Sequence, residues 1–327
     1  MDSITTIIEL LKTAFLGIVE GITEWLPISS TGHMILVDEF IKLDVTPEFW
    51  NMFLVVIQLG AILSVVVQFF KELNPFAPSK GAQGRRDTWG LWGKIILGCI
   101  PAAVIGLPLN DFMEEHLYNS YVVAGALIVY GIAFILIETW RERRQRASVE
   151  AGLGLGVAPA GRPAGSHFAP ASAASTSGAP ELPEVTKGGD FGSITSLDDM
   201  SWKTALGIGC FQVLSLIPGT SRSGSTIIGG LLLGTTRAVA TKFTFFLAIP
   251  VMLGASLLKI VKYLLGGNAM SGFEWAVMGV GLVVAFVTSL LAINWLTGFV
   301  RRHDFKPFGV YRIVLGVIVF AYFLLVH

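Results

Sequence analysis

Six stretches of nearly continuous apolar residues dominate the chain, at approximately 49–70, 91–109, 120–138, 243–262, 273–297 and 308–326. Each is bounded by polar or turn residues and is long enough to cross a bilayer as a helix, which takes about 20 residues. Two further apolar regions, 4–36 and 202–234, are broken in the middle. Pro27-Ile28-Ser29-Ser30-Thr31-Gly32 interrupts the first, and Pro218-Gly219-Thr220-Ser221-Arg222-Ser223-Gly224-Ser225 the second. Non-helical backbone at membrane depth persists only where protein or a water-filled cavity satisfies its polar groups. The pattern therefore predicts an all-α integral membrane protein with two re-entrant helical hairpins and six spans. Between the halves, residues 141–200 begin with a basic run and continue as Ala, Gly, Ser and Pro without apolar periodicity, including Pro159, Pro163, Pro170, Pro180 and Pro183. That composition predicts a disordered cytoplasmic linker between a first membrane repeat, 1–140, and a second, 201–327.

Charge placement orients the spans. The basic segments are 71–90 with Lys71, Lys80, Arg85 and Arg86, 139–147, 235–242 with Arg237 and Lys242, and 298–307 with Arg301, Arg302 and Lys306. All four share the cytoplasmic face only if 202–234 enters and returns on one side, which the excess of Lys and Arg in cytoplasmic loops favours. Segments 37–48 (Asp38, Glu39, Asp44, Glu48) and 110–119 (Asp111, Glu114, Glu115) are acidic, and 266–272 is uncharged, as expected outside. Lys259 and Lys262, near the outer end of their span, are the exception. A signal peptide over 1–30 is excluded by Asp2, Glu9, Glu20 and Glu24, since it needs a basic start and an uninterrupted apolar middle.

The two broken regions resemble each other. At an offset of 191, Lys12-Thr13-Ala14 falls on Lys203-Thr204-Ala205, Pro27 on Pro218 and Ser30 on Ser221. Each half is one hairpin plus three spans. The odd number of spans predicts inverted-topology repeats, whose functional site lies at the midplane where broken helices meet.

Composition agrees with this picture. Of 327 residues 53% are hydrophobic and 14% charged, against roughly 25% charged in a soluble domain, so a soluble enzyme is excluded. With 23 basic and 23 acidic side chains the net charge is zero, which gives no basis for binding nucleic acid. Cys99 and Cys210 lie in apolar runs and make neither a disulfide framework nor a cysteine zinc site.

Few charges remain at membrane depth. Glu20 and Glu24, spaced i, i+4, share one helix face, and burying two carboxylates implies something cationic between them. Mg²⁺ or Ca²⁺, which take carboxylate oxygens, fit that requirement. Ser29-Ser30-Thr31-Gly32-His33 follows Pro27, and hydroxyls with free amides at a broken helix end form an anion nest. His33 lies three residues from Ser30, a spacing compatible with an activated nucleophile. Arg222, a permanent cation, sits among Thr220, Ser221, Ser223, Gly224 and Ser225, and its planar fork suits a pair of phosphate oxygens. Carboxylate, divalent metal and Arg together equip a site for phosphoryl transfer. A substrate reached through lipid would be a lipid phosphate.

The run from Gly17 through Glu20, Glu24, Pro27 and Ser30 to His33, with Pro218-Gly219-Thr220-Ser221-Arg222-Ser223-Gly224 and the Gln58-Leu59-Gly60 region, resembles the bacterial undecaprenyl-diphosphatase family, also called bacitracin-resistance proteins. The resemblance implies a multi-pass inner-membrane hydrolase that converts undecaprenyl diphosphate to undecaprenyl phosphate and inorganic phosphate, recycling the carrier lipid for peptidoglycan synthesis. It also implies a divalent cation and a site open to the periplasm. The family's glutamates map to Glu20 and Glu24, its hydroxyl and His to Ser30 and His33, and its Arg to Arg222. Residues 141–187 look longer than the family's usual connection. Phosphatidic-acid phosphatases use a second His shortly after the Arg, whereas here only His303 and His327 follow Arg222.

The expected site has Glu20 and Glu24 on a metal, Arg222 and the hydroxyl nests on phosphate, and Ser30 attacking with His33 as proton shuttle. Attack by water is the alternative to Ser30. The competing function is an inverted-repeat transporter or flippase for an anionic phosphate-bearing lipid. The sequence leaves a homodimer open.

Overall fold

A computed structural model describes residues 3–117, 119–152 and 192–326. The described residues form α1 (Ser3–Thr23), α2 (Ser30–Phe40), α3 (Pro47–Val56), α4 (Gln58–Gln68), α5 (Phe70–Leu73), α6 (Ala82–His116) and α7 (Ser120–Gly152). The second half contributes α8 (Trp202–Gln212), a 3₁₀ turn (Val213–Leu216), α9 (Arg222–Leu232), α10 (Arg237–Leu265), α11 (Gly272–Phe299) and α12 (Lys306–Val326). No strand occurs among them; the one isolated β-bridge joins Ile194 to Thr235.

Six helical stretches are long and apolar enough to cross a membrane: Pro47–Gln68, Ala82–Leu109, Ser120–Ser148, Arg237–Leu265, Gly272–Phe299 and Lys306–Leu325. They coincide with the six apolar runs. The two interrupted regions become α1–turn–α2 and α8–turn–α9. The first span is stepped at Ile57 between α3 and α4, where the Gly60 N–H bonds to Ile57 O at 3.1 Å.

Small residues let these helices approach closely, the main source of packing where lipid offers no hydrophobic contrast. A Cβ on Gly209 of α8 would lie 2.2 Å from Gly98 O of α6. On the other side, α1 packs against α11, where Ser289 Oγ donates to Gly21 O at 3.0 Å. α7 lies along α12, and α3 and α4 face α10. Exchanging the first hairpin and its three spans for the second maps these pairings, α1 on α11, α8 on α6, α7 on α12 and α3/α4 on α10, onto one another.

The linker boundaries differ from the sequence reading. Residues 141–152 continue α7, because Arg and Glu are good helix formers and need no apolar face beyond the bilayer. The Arg144 guanidinium stacks 4.2 Å over Trp140 one turn before it, and Arg141 Nη2 donates to Thr235 O at 3.1 Å. Residues 192–200 lie against the body, with Ile194 N–H on Gly234 O and Met200 buried. The rest of the proposed linker, 153–191, falls outside the described residues.

Beside this region Arg237 and Glu138 form a fully buried two-pronged ion pair, Nε–Oε1 2.8 Å and Nη2–Oε2 2.7 Å, and Glu138 Oε1 also accepts the Phe305 N–H. It ties α7, α10 and the start of α12 together. Trp25, in the turn that follows α1, packs edge-on against Phe245, which is flanked by Phe69.

Candidate active site

Both broken turns are built by the same device. α1 ends at Thr23, and Pro27, which has no N–H and disfavours helix at the residue before it, prevents the helix from continuing. The chain restarts through Ser29 at φ 74°, and Ser29 Oγ accepts the Gly32 N–H at 3.3 Å to cap α2. In the second turn Pro218 and Gly219 (φ 85°) lead to Ser221 at φ 71°, whose Oγ accepts the Gly224 N–H at 3.1 Å to cap α9. Among the described residues Ser29 and Ser221 are the only non-glycine positions with positive φ. The backbone therefore pairs Ser29 with Ser221, not Ser30 with Ser221 as the offset of 191 has it. The second turn holds one residue more between Pro and cap, and the counterpart of Ser30 is Arg222.

Those two first helical residues converge on Glu24. Ser30 Oγ donates to Glu24 Oε2 at 2.7 Å, and Arg222 Nη2 donates to Glu24 Oε1 at 3.0 Å. Both ends of the ion pair are nearly inaccessible, with side-chain exposures of 10% for Arg222 and 6% for Glu24. Arg222 Nη1 is held by Thr244 O at 3.1 Å, and the guanidinium lies 5.9 Å over the Trp25 ring. Ser223 Oγ shares its proton between Glu24 O and Leu26 O, 3.2 Å from each, joining the hairpins directly. Arg312 of α12 ties them a second time: Nη1 donates to Pro27 O at 3.2 Å, and Nη2 to Gly219 O at 2.8 Å and Thr220 O at 3.0 Å.

A chamber of about 150 Å³ lies at this junction, lined by Glu24, Ser30, Thr31, Gln58, Ser221 and Arg222 among others. It adjoins a cavity of about 440 Å³ that shares Ser30, Thr31 and Gln58 and adds Glu20 and Asp38. The helices α2 and α9 both begin at this chamber, and helix N-termini, with free first-turn N–H groups and a positive dipole end, suit anions. The buried polar atoms without a hydrogen-bond partner at this junction include the donor Arg222 Nε and the acceptor Glu20 Oε1, along with Thr220 Oγ1, Arg312 Nε and Trp25 Nε1. A buried polar group left unpaired costs about 1–3 kcal/mol, so an anion on Arg222 Nε and a cation on Glu20 Oε1 would each relieve it.

The remaining expected residues divide by position. Ser29, Gly32, Ser223, Gly224 and Ser225 shape or bridge the turns, with Ser225 Oγ bonded to Ser221 O. Thr220 is buried and contributes its carbonyl to Arg312. His33 is not brought to Ser30. Its Nδ1 meets Ser29 O at 2.7 Å and its Nε2 meets Tyr311 Oη at 2.7 Å, while the rings stack at 5.6 Å and 3°. One turn along α2, its side chain folds back toward its own cap and faces α12, so both nitrogens are engaged away from the Ser30 hydroxyl. Among the described residues no three His, Cys, Asp or Glu gather into a ready metal cage.

Sequence reasoning passed over Tyr311 and Arg312, and quoted Gln58 as part of a motif without giving it a role. Arg312 carried a usable signal, a lone cation inside the last apolar run, which marks a functional position by its cost alone. Tyr311 carried none, because its partner lies 278 residues away.

The fold and site together define a multi-pass helical membrane protein with a charged chamber between two broken hairpins. The chain belongs to the bacitracin resistance protein BacA family, whose sequence profile matches residues 13–160 and 175–318. It is similar to the undecaprenyl-diphosphatase of Lactiplantibacillus plantarum, 48% identical over 320 residues that span 98% of this chain and 100% of the relative. Those of Streptococcus thermophilus (49% over 322 residues; 98% and 96%) and Enterococcus faecalis (48% over 313; 96% and 97%) are similarly close.

Proposed function

We propose that this protein hydrolyses undecaprenyl diphosphate to undecaprenyl phosphate and inorganic phosphate, returning the carrier lipid to peptidoglycan synthesis. Family membership and the near-full-length relatives named undecaprenyl-diphosphatase support the substrate. The observation that carries the chemistry is the hydrogen-bonded chain Ser30–Glu24–Arg222 at the junction of the two hairpins.

In this reading the diphosphate occupies the junction chamber, with phosphate oxygens on Arg222 Nε and on the N–H groups that open α2 and α9. Glu24 Oε2, which already accepts the Ser30 proton, is the general base, a role the sequence had assigned to His33. Ser30 Oγ attacks the terminal phosphorus as its proton passes to Glu24, and the bond to the bridging oxygen breaks. Undecaprenyl phosphate leaves with that electron pair. Water then attacks the phosphoserine, Ser30 Oγ departs with its electron pair and recovers a proton, and inorganic phosphate is released. Arg222 stabilises the charge developing on the phosphoryl oxygens in both steps. His33, anchored between Ser29 and Tyr311, fixes the start of α2 and so the aim of Ser30.

A divalent cation fits beside this chain. Glu20 Oε1 has no partner, and the amide side chains of Asn51 and Gln58 line the same cavity. Mg²⁺ is commonly held by one or two carboxylates plus substrate phosphate, which matches so sparse a donor set. Glu20 would be its principal ligand, with Glu24 contributing while bound to Ser30 and Arg222. When bound, the ion would neutralise charge on the diphosphate. The excess of Lys and Arg in the basic segments supports a cytoplasmic linker side, and with family membership the reading adds a bacterial inner membrane, two halves in opposite orientations and a site open to the periplasm.

Phosphate release from farnesyl or undecaprenyl diphosphate by the purified protein in detergent, with and without EDTA, tests this reading. The expected result is turnover that EDTA abolishes and Mg²⁺ or Ca²⁺ restores. Binding of the prenyl diphosphate without release would favour a lipid transporter instead.

A further inference from the structure

Lys259 is a charge that the membrane topology leaves unexplained, since the neighbouring outer segments are acidic or uncharged. In the fold it is half-buried and lines the cavity that holds Glu20, Ser30, Asp38 and Gln58. Lys262, nearly one turn further along α10, is exposed and does not line that cavity. The placement of Lys259 is fixed from below. Ser256 Oγ donates to Val55 O at 3.2 Å, clamping α10 to α3 three residues before Lys259, and Val55 is itself part of the cavity wall. Along the same helix Met252 and Ala255 line the junction chamber. One face of α10 therefore carries the wall from the Arg222 chamber to Lys259, about 10 Å further on.

The two adjoining cavities thus carry one cation each, Arg222 in the chamber and Lys259 in the larger cavity, and the two differ in side-chain chemistry. Arg222 is locked by Glu24 and Thr244 O into one orientation. Lys259 presents a compact ammonium in place of a planar fork, which suits electrostatic attraction of an anion more than its bidentate alignment. We propose that Lys259 is a substrate-recruiting residue, which draws the diphosphate group of a prenyl diphosphate into the cavity and holds it without taking part in bond breaking. This rests on reading the cavity as the prenyl-diphosphate site. Such a contact stabilises ground and transition states alike, so it acts on KM and leaves kcat unchanged. Attraction over several ångströms is screened by salt, so part of the ionic-strength dependence of kcat/KM belongs to this residue.

The test compares the full-length protein with Lys259→Gln, Lys259→Arg and Lys262→Gln. It uses farnesyl diphosphate for turnover and its methylene-bridged diphosphonate, which lacks the scissile oxygen, for direct binding. Lys259→Gln is expected to raise KM, and the Kd of the diphosphonate, about 10-fold with kcat within about two-fold, and to flatten the decline of kcat/KM with added NaCl. Lys259→Arg keeps the charge and stays within about three-fold of the parent, and Lys262→Gln leaves Kd unchanged. An unchanged Kd in Lys259→Gln overturns the proposal, as does an equal weakening by Lys262→Gln or a fall in kcat at constant KM. Diphosphonate binding without hydrolysis by the unmutated protein would refute the hydrolase reading alone, because the Kd comparison still decides the role of Lys259.

Discussion

The two broken hairpins share a backbone and differ in chemistry. In each, a proline ends the incoming helix, a serine at φ near 70° turns the chain, and that serine's hydroxyl caps the outgoing helix three residues on. The first hairpin brings Glu20 near the end of α1, Glu24 in the turn after it, and a hydroxyl, Ser30, just after its cap. The second brings no acid, and at the position matching Ser30 it places Arg222. The same local geometry thus delivers two helix N-termini to one chamber, while a single side chain after each cap decides whether that end offers a hydroxyl or a cation. Glu24 is the point where the difference is resolved, since one of its oxygens serves each hairpin.

Substitutions can break this complementarity in graded steps. Glu24→Gln removes the proposed base and leaves Arg222 as a buried charge without its carboxylate; turnover should fall about 10³-fold, measured as phosphate release. Arg222→Ala should cost about 10²-fold in kcat, by comparison with removal of one donor from a charge-stabilising site, and Arg222→Lys, which loses the planar fork, less than that. Ser223→Ala cuts one of the hydrogen-bonded links between the hairpins without touching the chamber's charges. It should lower stability by about 1 kcal/mol in a thermal or denaturant assay, with activity of the folded fraction little altered. Tyr311→Phe is the mildest of these. It frees His33 Nε2 but keeps the ring stack, so kcat should change less than about five-fold if His33 acts by anchoring α2. Tyr311→Phe collapsing turnover as far as Arg222→Ala does would instead put His33 in the chemistry.

Much of this was legible in the chain. The spans follow from the length of their apolar runs, and the hairpin breaks from Pro27 and Pro218 among hydroxyl residues. Glu20, Glu24, Ser30 and Arg222 stood out because charge and hydroxyl clusters are costly in lipid. What escaped depends on distances that no local pattern encodes. Ser30 and His33 look like a pair at three residues' spacing, yet the imidazole folds back to its own helix cap and across to α12. The pairing of Ser30 with Ser221 was one residue out because Gly219 lengthens the second turn. α7 continues to Gly152 on polar residues, which a reading based on apolar runs ends at the membrane edge.

The most direct test of the account is the turnover of Ser30→Ala on farnesyl diphosphate beside the unmutated protein, at saturating substrate and with Mg²⁺ present. With Ser30 as the nucleophile activated by Glu24, phosphate release should fall by about 10²-fold or more while diphosphonate binding stays within about three-fold. Release within a few-fold of the unmutated protein would contradict it and assign the attack to water.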